Sequence, residues 1–339
     1  MAATEVRPTP RSDYRVAVIG TGVAGQGHVA RLWICQGVDV VAACSRDDLR
    51  RAEFCERFDI QAGYADYAAM LRQERLDGVI IATAHNVLAD ACARAMRVCG
   101  AILVEKPLAR SAAEADQLLQ VQHQTGARVL VAYPRRFRNH YVAARHWIEN
   151  GEIGAFRYGA MEWCDVHMGS YLGTGDSRDR TFRNDPAAAV HGVLLDHGSH
   201  MLDSFLWLTG QRITAVSATL RFGSKGLDCA ALLSLEIGDV GLASAAIYPA
   251  QSGRQERRIS VQGTAGRIVI DDETAALYRG RSHAELVAHA PEELRLTESY
   301  LAMLANEPSA GCDLRQGCDV VRVIDAAYRS FDHDVAVHL

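Results

Sequence analysis

Only two of the 36 basic residues are lysines, Lys106 and Lys225. Where arginine has replaced lysine almost everywhere, a retained lysine marks a place that needs a compact ammonium able to donate to one oxygen. Lys225 sits in Gly223-Ser224-Lys225-Gly226, a turn-like stretch that reads as solvated loop. Lys106 is different: it stands in Glu105-Lys106-Pro107, directly behind the apolar run Ala101–Val104. Farther along, Asp196 and His200 are four residues apart. On a helix that spacing puts them on one face, with Cβ atoms about 5–6 Å apart, so a carboxylate can orient an imidazole. An imidazole is the natural acceptor for a hydroxyl proton near neutral pH, and an ammonium can stabilise the oxygen that loses it. His200 is the preferred acid/base and Lys106 the group that positions the oxygen, although Lys106 could carry the proton itself. Two other readings of these residues exist. An i,i+4 pair can be no more than a surface ion pair, and the run His167, His191, Asp196, His197, His200 has enough donors for a catalytic zinc with an open position. No H-E-x-x-H motif accompanies them, and no metal is expected.

A second cluster explains what such a pair would serve. Gly20-Thr21-Gly22-Val23-Ala24-Gly25 follows a short apolar strand and opens a helix. In G-x-G-x-x-G the first glycine permits the tight turn, the second lets backbone approach a pyrophosphate, and the third lets helix and strand pack closely. The amides of Val23 and Ala24 then face the phosphates at a helix N-terminus. The acidic residue expected about 20 positions later, which would bind a ribose 2′-hydroxyl, is replaced by Ser45, with Arg46 next and Asp47 and Asp48 following. A hydroxyl and a guanidinium suit a 2′-phosphate, so NADP is favoured and NAD remains an alternative.

These residues need a scaffold. Residues 14–132 alternate apolar strands (Tyr14–Ile19, Val38–Cys44, Asp77–Ala82, Ala101–Glu105, Arg128–Ala132) with helical patterns (Val23–Gln36, Asp47–Phe58, Asp66–Gln73, Val87–Val98, Ser111–Thr125). Strands apolar on both faces, separated by helices, mean a parallel sheet covered on both sides. From Tyr133 the pattern changes to long alternating strands: Phe156–Trp163, Ile213–Phe222, Ala230–Ile237, Gly241–Tyr248, Arg258–Gln262 and Gly266–Ile270. Helices are expected at His140–Glu149, Thr297–Asn306 and Arg315–Ser330. The expected architecture is α/β: a doubly wound parallel sheet over residues 1–132, then an α+β domain with a large, mostly antiparallel sheet over 133–339.

Composition limits the alternatives. The chain of 339 residues has a formal net charge of −5 and no dense basic run, which argues against nucleic acid. No stretch approaches 18 consecutive apolar residues, and residues 1–13 contain no apolar core of a secretory signal, so no membrane association is expected. Nine scattered cysteines without a C-x-x-C pair read as reduced thiols, hence a cytoplasmic location.

Taken together, the glycine loop, Glu105-Lys106-Pro107 and Asp196-His197-Gly198-Ser199-His200 resemble the Gfo/Idh/MocA oxidoreductases, a family that includes glucose–fructose oxidoreductase and inositol dehydrogenases. Arg136-Phe137, Gly151-Glu152-Ile153-Gly154 and Gly263-Thr264-Ala265-Gly266 extend the resemblance over nearly the whole chain. The resemblance implies a Rossmann domain, a nicotinamide beside Glu105 and Lys106, often a cis peptide before Pro107, and hydride exchange with a secondary alcohol or ketone of a sugar, aminosugar or cyclitol. It also implies a homodimer or homotetramer. Thr83 and Asn86 would border the cofactor, although Thr83-Ala84-His85-Asn86-Val87-Leu88 lacks the family's Thr-Pro-Asn and its histidine. Ala189-Val190-His191-Gly192 likewise departs from the family's glycine-rich approach to the aspartate. Substrate contacts are expected from Lys106, Arg136, Trp163, Asp165, Asp196, His197 and His200, with Trp163 available to stack on a sugar face. The mixed-sign stretch Gly169–Asp185 is a candidate lid or oligomer contact. The arginine bias, of the kind a GC-rich genome imposes, makes specialised sugar biosynthesis of the aminoglycoside type plausible. An NAD-dependent glycoside hydrolase working through a transient ketone and a non-catalytic NAD(P)-binding sensor are the alternatives.

Overall fold

In the computed structural model, residues 14–165, 171, 183, 185–250, 255–280, 283–288 and 295–339 are described. His167 and most of the stretch Gly169–Asp185 lie outside them. The first sheet is built from β1 (Tyr14–Ile19), β2 (Val38–Cys44), β3 (Ala62–Tyr64), β4 (Gly78–Ile81), β5 (Ala101–Val104) and β6 (Arg128–Val131). Its strand order is β3-β2-β1-β4-β5-β6, all parallel. The connecting helices are α1 (Val23–Trp33), α2 (Asp48–Arg57), α3 (Tyr67–Gln73), α4 (His85–Ala95) and α5 (Ala112–Thr125). Three of them begin at a capping side chain: for α2 Asp47 accepts from the Arg50 amide, for α3 Asp66 from Ala68 and for α5 Ser111 from Glu114. The central strands β4 and β5 are buried along their whole length, as a doubly covered sheet requires. The chain winds outward from β1 in one direction and returns to β4 on its other side. The gap between the C-terminal ends of β1 and β4 is therefore the topological switch point, where such sheets bind ligands.

The second sheet has nine strands. After α6 (Asn139–Glu149) come β7 (Phe156–Asp165), α7 (Ser199–Thr209), β8 (Ile213–Phe222), β9 (Asp228–Ile237), β10 (Gly241–Pro249), β11 (Glu256–Gly263), β12 (Gly266–Ile270), β13 (Thr274–Arg279) and β14 (His283–Ala288). Helix α8 (Arg295–Leu304), β15 (Cys312–Asp313), α9 (Leu314–His333) and β16 (Val337–His338) close the chain. The order is β14-β13-β12-β11-β7-β10-β9-β8-β16, and only β7 and β10 run parallel. Strict alternation of burial along β9 and β10 shows one face on the core and one on solvent. The inner face, with Leu233, Leu235, Ala245, Ile247 and Val261, packs against Leu202 and Phe205 of α7 and against Val320 and Ile324 of α9.

Helix α9 buries two stripes. Leu314, Cys318 and Val321 join the core of the first sheet, whereas Val320, Val323, Ile324 and Ala327 join that of the second. β15 also pairs antiparallel with β6, and Tyr300 and Met303 of α8 pack beneath the first sheet. The sheets thus divide near residue 132, but residues from 295 onward cross back and weld the two layers together. Strands β13 and β14 were not expected from sequence, since Thr274-Ala-Ala-Leu-Tyr-Arg has little intrinsic strand preference; pairing with β12 supplies it.

Candidate active site

A cleft of about 1250 Å³ opens at the switch point, bordered by Gly20, Gly22, Val23, Ala24, Ser45, Arg46, Thr83, His85, Glu105, Lys106 and Arg183. The glycines have separable reasons. Gly20 has φ +106°, and a Cβ there would strike the Ala82 carbonyl; at Gly25 a Cβ would strike the Gly20 carbonyl. Gly25 therefore packs α1 against the turn and does not line the cleft. A Cβ at Gly22 would meet nothing within 4 Å, so that backbone faces open space. Helix α1 has no capping side chain and no acidic residue in its first turn, leaving the amides of Val23 and Ala24 for a phosphate. These features fit a dinucleotide pyrophosphate.

At the ribose end, Ser45, Arg46, Asp47, Arg50 and Asp66 line the wall. Both carboxylates are engaged. Asp47 accepts from the Arg50 amide at 3.0 Å and pairs with the Arg50 guanidinium at 3.4 Å, while Asp66 accepts from the Ala68 amide at 2.9 Å.

At the other end lies Glu105-Lys106-Pro107, with the Lys106–Pro107 peptide cis. Glu105 borders the cleft, but its carboxylate is taken by His28 Nε2 of α1 at 2.8 Å. Burial pushes the Glu105 pKa upward, and the bond and charge from His28, with Lys106, more than reverse it, so the group stays ionised. His28 was not singled out in the sequence; its spacing after the glycine loop was the available signal. Lys106 Nζ donates to Asp196 Oδ1 at 2.5 Å and to the Asp196 carbonyl at 3.1 Å, joining the two domains.

Asp196 is fully buried and every acceptor position on it is used. Besides Lys106, Tyr171 Oη donates to Oδ2 at 2.8 Å, and Arg183 donates from Nε to Oδ2 at 2.5 Å and from Nη2 to Oδ1 at 3.3 Å. Burial alone would raise its pKa, but the charges of Lys106, His197 and Arg183 hold it well below the ordinary carboxylate value. The expected Asp196–His200 pair is absent. Residues Leu194–Gly198 form one π-helical turn, whose extra residue breaks the i,i+4 alignment. The Asp196 carboxylate turns to Lys106 and Arg183 instead. His200 stacks on Trp163, ring centroids 5.6 Å apart, with its edge toward Tyr133. His197 Nδ1 lies 3.7 Å from Asp196 Oδ2 and His85 Nε2 lies 3.9 Å from Oδ1. Burial, opposed by Asp196 and reinforced by Lys106, pulls both His85 and His197 down to about 4. Burial, with Lys106 and Arg135, takes His200 well below 6.5. All three imidazoles are therefore neutral at pH 7.

The approach to this turn is held unusually. Val190 has φ +69° and ψ −48°, a conformation that β-branched residues avoid. Asp228 offsets it: Oδ1 accepts the Gly192 amide at 2.6 Å and the Tyr328 hydroxyl at 2.8 Å, and Oδ2 accepts the Leu194 amide at 2.8 Å. His191 stacks on Tyr328 at 4.2 Å rather than turning toward Asp196.

Two expected contacts are corrected. Arg136 does not reach the cleft: Nε and Nη2 grip the buried Asp203 carboxylate, at 3.1 and 2.6 Å, and Nη1 bonds Gln316 Oε1 at 2.6 Å. Its neighbour Arg135 lies over Trp163 instead, 4.6 Å from the ring centroid. Asn86 does not line the cleft either; the turn of helix presents His85, whose Nδ1 bonds the Ala189 carbonyl at 3.1 Å. Trp163 and Asp165 are buried beyond His200, with Asp165 Oδ2 paired to Arg257 at 2.7 Å. His28, His85, Tyr171 and Arg183 are site residues that the sequence reading missed.

A switch-point cleft with a phosphate-binding turn at one end and an interdomain lysine–carboxylate pair at the other is the architecture of a nicotinamide-dependent oxidoreductase. The chain belongs to the GFO/IDH/MocA family: residues 14–133 match its oxidoreductase, NAD-binding Rossmann-fold model and residues 141–269 match its C-terminal domain. Among relatives, 4-carboxy-2-hydroxymuconate-6-semialdehyde dehydrogenase of Sphingobium sp. is 25% identical over 59% of this chain and 61% of its own length. D-Apiose dehydrogenase of Paraburkholderia graminis is 26% identical over 94% of this chain and 87% of its own. Inositol 2-dehydrogenase of Salmonella paratyphi B is 29% identical, with 41% of this chain matching 43% of that one. The chain thus spans less than two thirds of the first and last of these. In fold, it superposes on GenD2 from gentamicin A biosynthesis, solved with NAD, with a TM-score of 0.81 and 21% identity over 98% of this chain and 99% of that one.

Proposed function

We propose that the protein is an NADP-preferring dehydrogenase or ketoreductase that exchanges hydride with a secondary alcohol or ketone of a sugar or cyclitol. The bond from Lys106 Nζ to Asp196 Oδ1 at 2.5 Å carries this reading, because it puts an ammonium from one domain and a buried carboxylate from the other at one end of the dinucleotide cleft. The nicotinamide would supply the hydride acceptor or donor. Gly20, Gly22, Val23 and Ala24 bind its phosphates. Thr83 and Glu105 border its inner end, and Ser45 and Arg46 take the ribose side. Asp196, saturated by its partners, orients Lys106 and exchanges no proton. Lys106 holds the substrate oxygen and stabilises its developing charge; His200, neutral at pH 7, is the proton acceptor. His197 shapes the wall against which the sugar lies, and the buried Trp163 backs it and His200.

Replacing Lys106 with Ala, or His200 with Asn, should reduce turnover at least a hundredfold while leaving dinucleotide affinity within about twofold. Parental turnover in both variants would refute the assignment. Ser45 and Arg46 on the ribose wall support the NADP preference, and Asp47 and Asp66 there are partly engaged as helix caps. NADPH should bind at least tenfold tighter than NADH, and Arg46→Ala should erase the difference. The relatives named D-apiose dehydrogenase and inositol 2-dehydrogenase support a sugar-like substrate. The outer face of the second sheet exposes Tyr158, Leu232, Leu242, Tyr248 and Tyr278, large apolar side chains that support pairing of copies into a homodimer or homotetramer. Nine free cysteines support a cytoplasmic location.

A further inference from the structure

An imidazole that accepts a proton is ordinarily aimed by a hydrogen bond on its other nitrogen, to a carboxylate or a carbonyl. His85 has that arrangement, with Nδ1 on the Ala189 carbonyl. His200 does not. Its Nδ1 is buried with no hydrogen-bond partner among the described residues, and the Asp196 carboxylate has turned to Lys106 and Arg183. Two aromatic contacts stand in place of that bond. The Trp163 indole stacks on the imidazole, with centroids 5.6 Å apart and planes 23° from parallel. The Tyr133 ring meets it edge-on, at 5.8 Å and 81°.

Trp163 is itself held from several sides. It is buried on β7, and β11 sets Arg257 opposite it in register. The guanidiniums of Arg135 and Arg257 lie 4.6 and 4.9 Å from its ring centroid, within the range where an indole face attracts a cation. Both arginines are tied down in turn. Arg257 donates to Asp165 at 2.7 Å and to Asp272 at 3.3 Å, and Arg135 donates to Asp272 at 3.4 Å and to the Tyr141 hydroxyl at 3.2 Å. Asp165, two residues along β7 and so on the same face, also accepts from Gln255 at 2.9 Å. The bonds that would ordinarily end on the imidazole end one layer behind it, on the residues that clamp the indole.

We infer that Trp163 is the positioning residue for His200, setting by stacking the ring plane that a bonded carboxylate would otherwise set. The inference rests on the reading of His200 as the proton acceptor. Loss of the indole should free the ring and admit water to it, with the clamp of arginines and carboxylates left in place.

The test reads the ring directly. The full chain, saturated with NADP⁺ and labelled with ¹³C at histidine Cε1, is titrated by NMR; the His200 signal is the one missing from His200→Asn. Burial is the first cause that holds the His200 pKa down, joined by Lys106, Arg135 and His197 and opposed by Asp196. Trp163→Leu removes part of the burial and none of those charges, so the His200 titration should rise toward 6.5 while the signals of His28 and His85 stay in place. Trp163→Phe, which keeps a ring to stack on, should leave His200 as in the parent. If Trp163→Leu does not fold, Trp163→Met, whose flexible thioether fills irregular gaps, takes its place. An unmoved His200 in the ring-less variant overturns the inference, as does a shift shared by His28 and His85, which marks a general loosening of the fold.

Turnover separates this from the reading beneath it. With NADP⁺ and D-glucose or myo-inositol, Trp163→Leu should lose about tenfold in kcat with KM within about twofold, and should cost nothing further in a His200→Asn background, since it acts through that ring. An equal loss in both backgrounds overturns the inference and leaves the dehydrogenase standing. Parental turnover in His200→Asn, or no reduction of NADP⁺ by either polyol, counts against the function proposed for the site, and the titration then decides the stack by itself.

Discussion

The neutral, buried histidines around Asp196 make stability depend on pH in a direction that can be worked out. In the unfolded chain each histidine titrates near 6.5; in the folded protein His85 and His197 titrate near 4. Between these values the unfolded state binds protons that the folded state refuses. Stability is therefore intact above about pH 7 and falls as pH drops through 6.5 toward 4. Integrating the linkage for a shift of about 2.5 units gives a loss of about 2 kcal/mol per histidine between pH 7.5 and 5.0, or about 4 kcal/mol for the pair. That is a large part of a typical domain's stability. His200, shifted the same way, adds to it. Asp196 acts lower: its depressed pKa contributes stability that is lost only as pH falls below the ordinary carboxylate value near 3.8. Urea unfolding at pH 7.5 and 5.0, compared between the parent and a His85→Asn/His197→Asn double variant, isolates the effect from all other titrating groups. The variant should lose about 4 kcal/mol less than the parent over that interval. Equal losses would show that these imidazoles are not held neutral by burial, and the electrostatic account of the site would fail with them.

Three further outcomes are expected. Asp203→Asn should destabilise the fold by about 3–5 kcal/mol, because it leaves the Arg136 charge buried and unpaired; chemical denaturation reads this, and KM should be unchanged because Arg136 lies off the cleft. Val190→Gly should melt no lower than the parent and be stabilised by up to about 1 kcal/mol, since glycine relieves the positive φ; a lower melting temperature would show that the valine side chain matters more than the strain. Leu232→Glu combined with Leu242→Glu should shift the protein to monomer in sedimentation velocity without loss of the far-ultraviolet spectrum.

Local signals made much of this protein legible from its sequence. The glycine loop, the continuous apolar strands and the capping residues Asp47 and Ser111 are short-range features, and each states its own backbone geometry. They determined the doubly wound domain and singled out Gly20, Gly22 and Lys106, the one lysine in a strand-end context, all of which border the cleft. What lay beyond them depended on chain segments far apart. Spacing by four made Asp196 and His200 look like partners, but a single π turn rotated the carboxylate away, to a lysine 90 positions earlier and an arginine 13 positions earlier. Arg136 looked like a cleft residue because it follows a strand; Asp203, 67 positions later on α7, claimed it. β13, β15 and β16 exist because neighbouring strands pair with them, not because their residues favour extension. Side-chain partners, burial and the resulting charge states are long-range properties, and only the folded chain, which brings α9 between both sheets and closes the two domains on one cleft, could decide them.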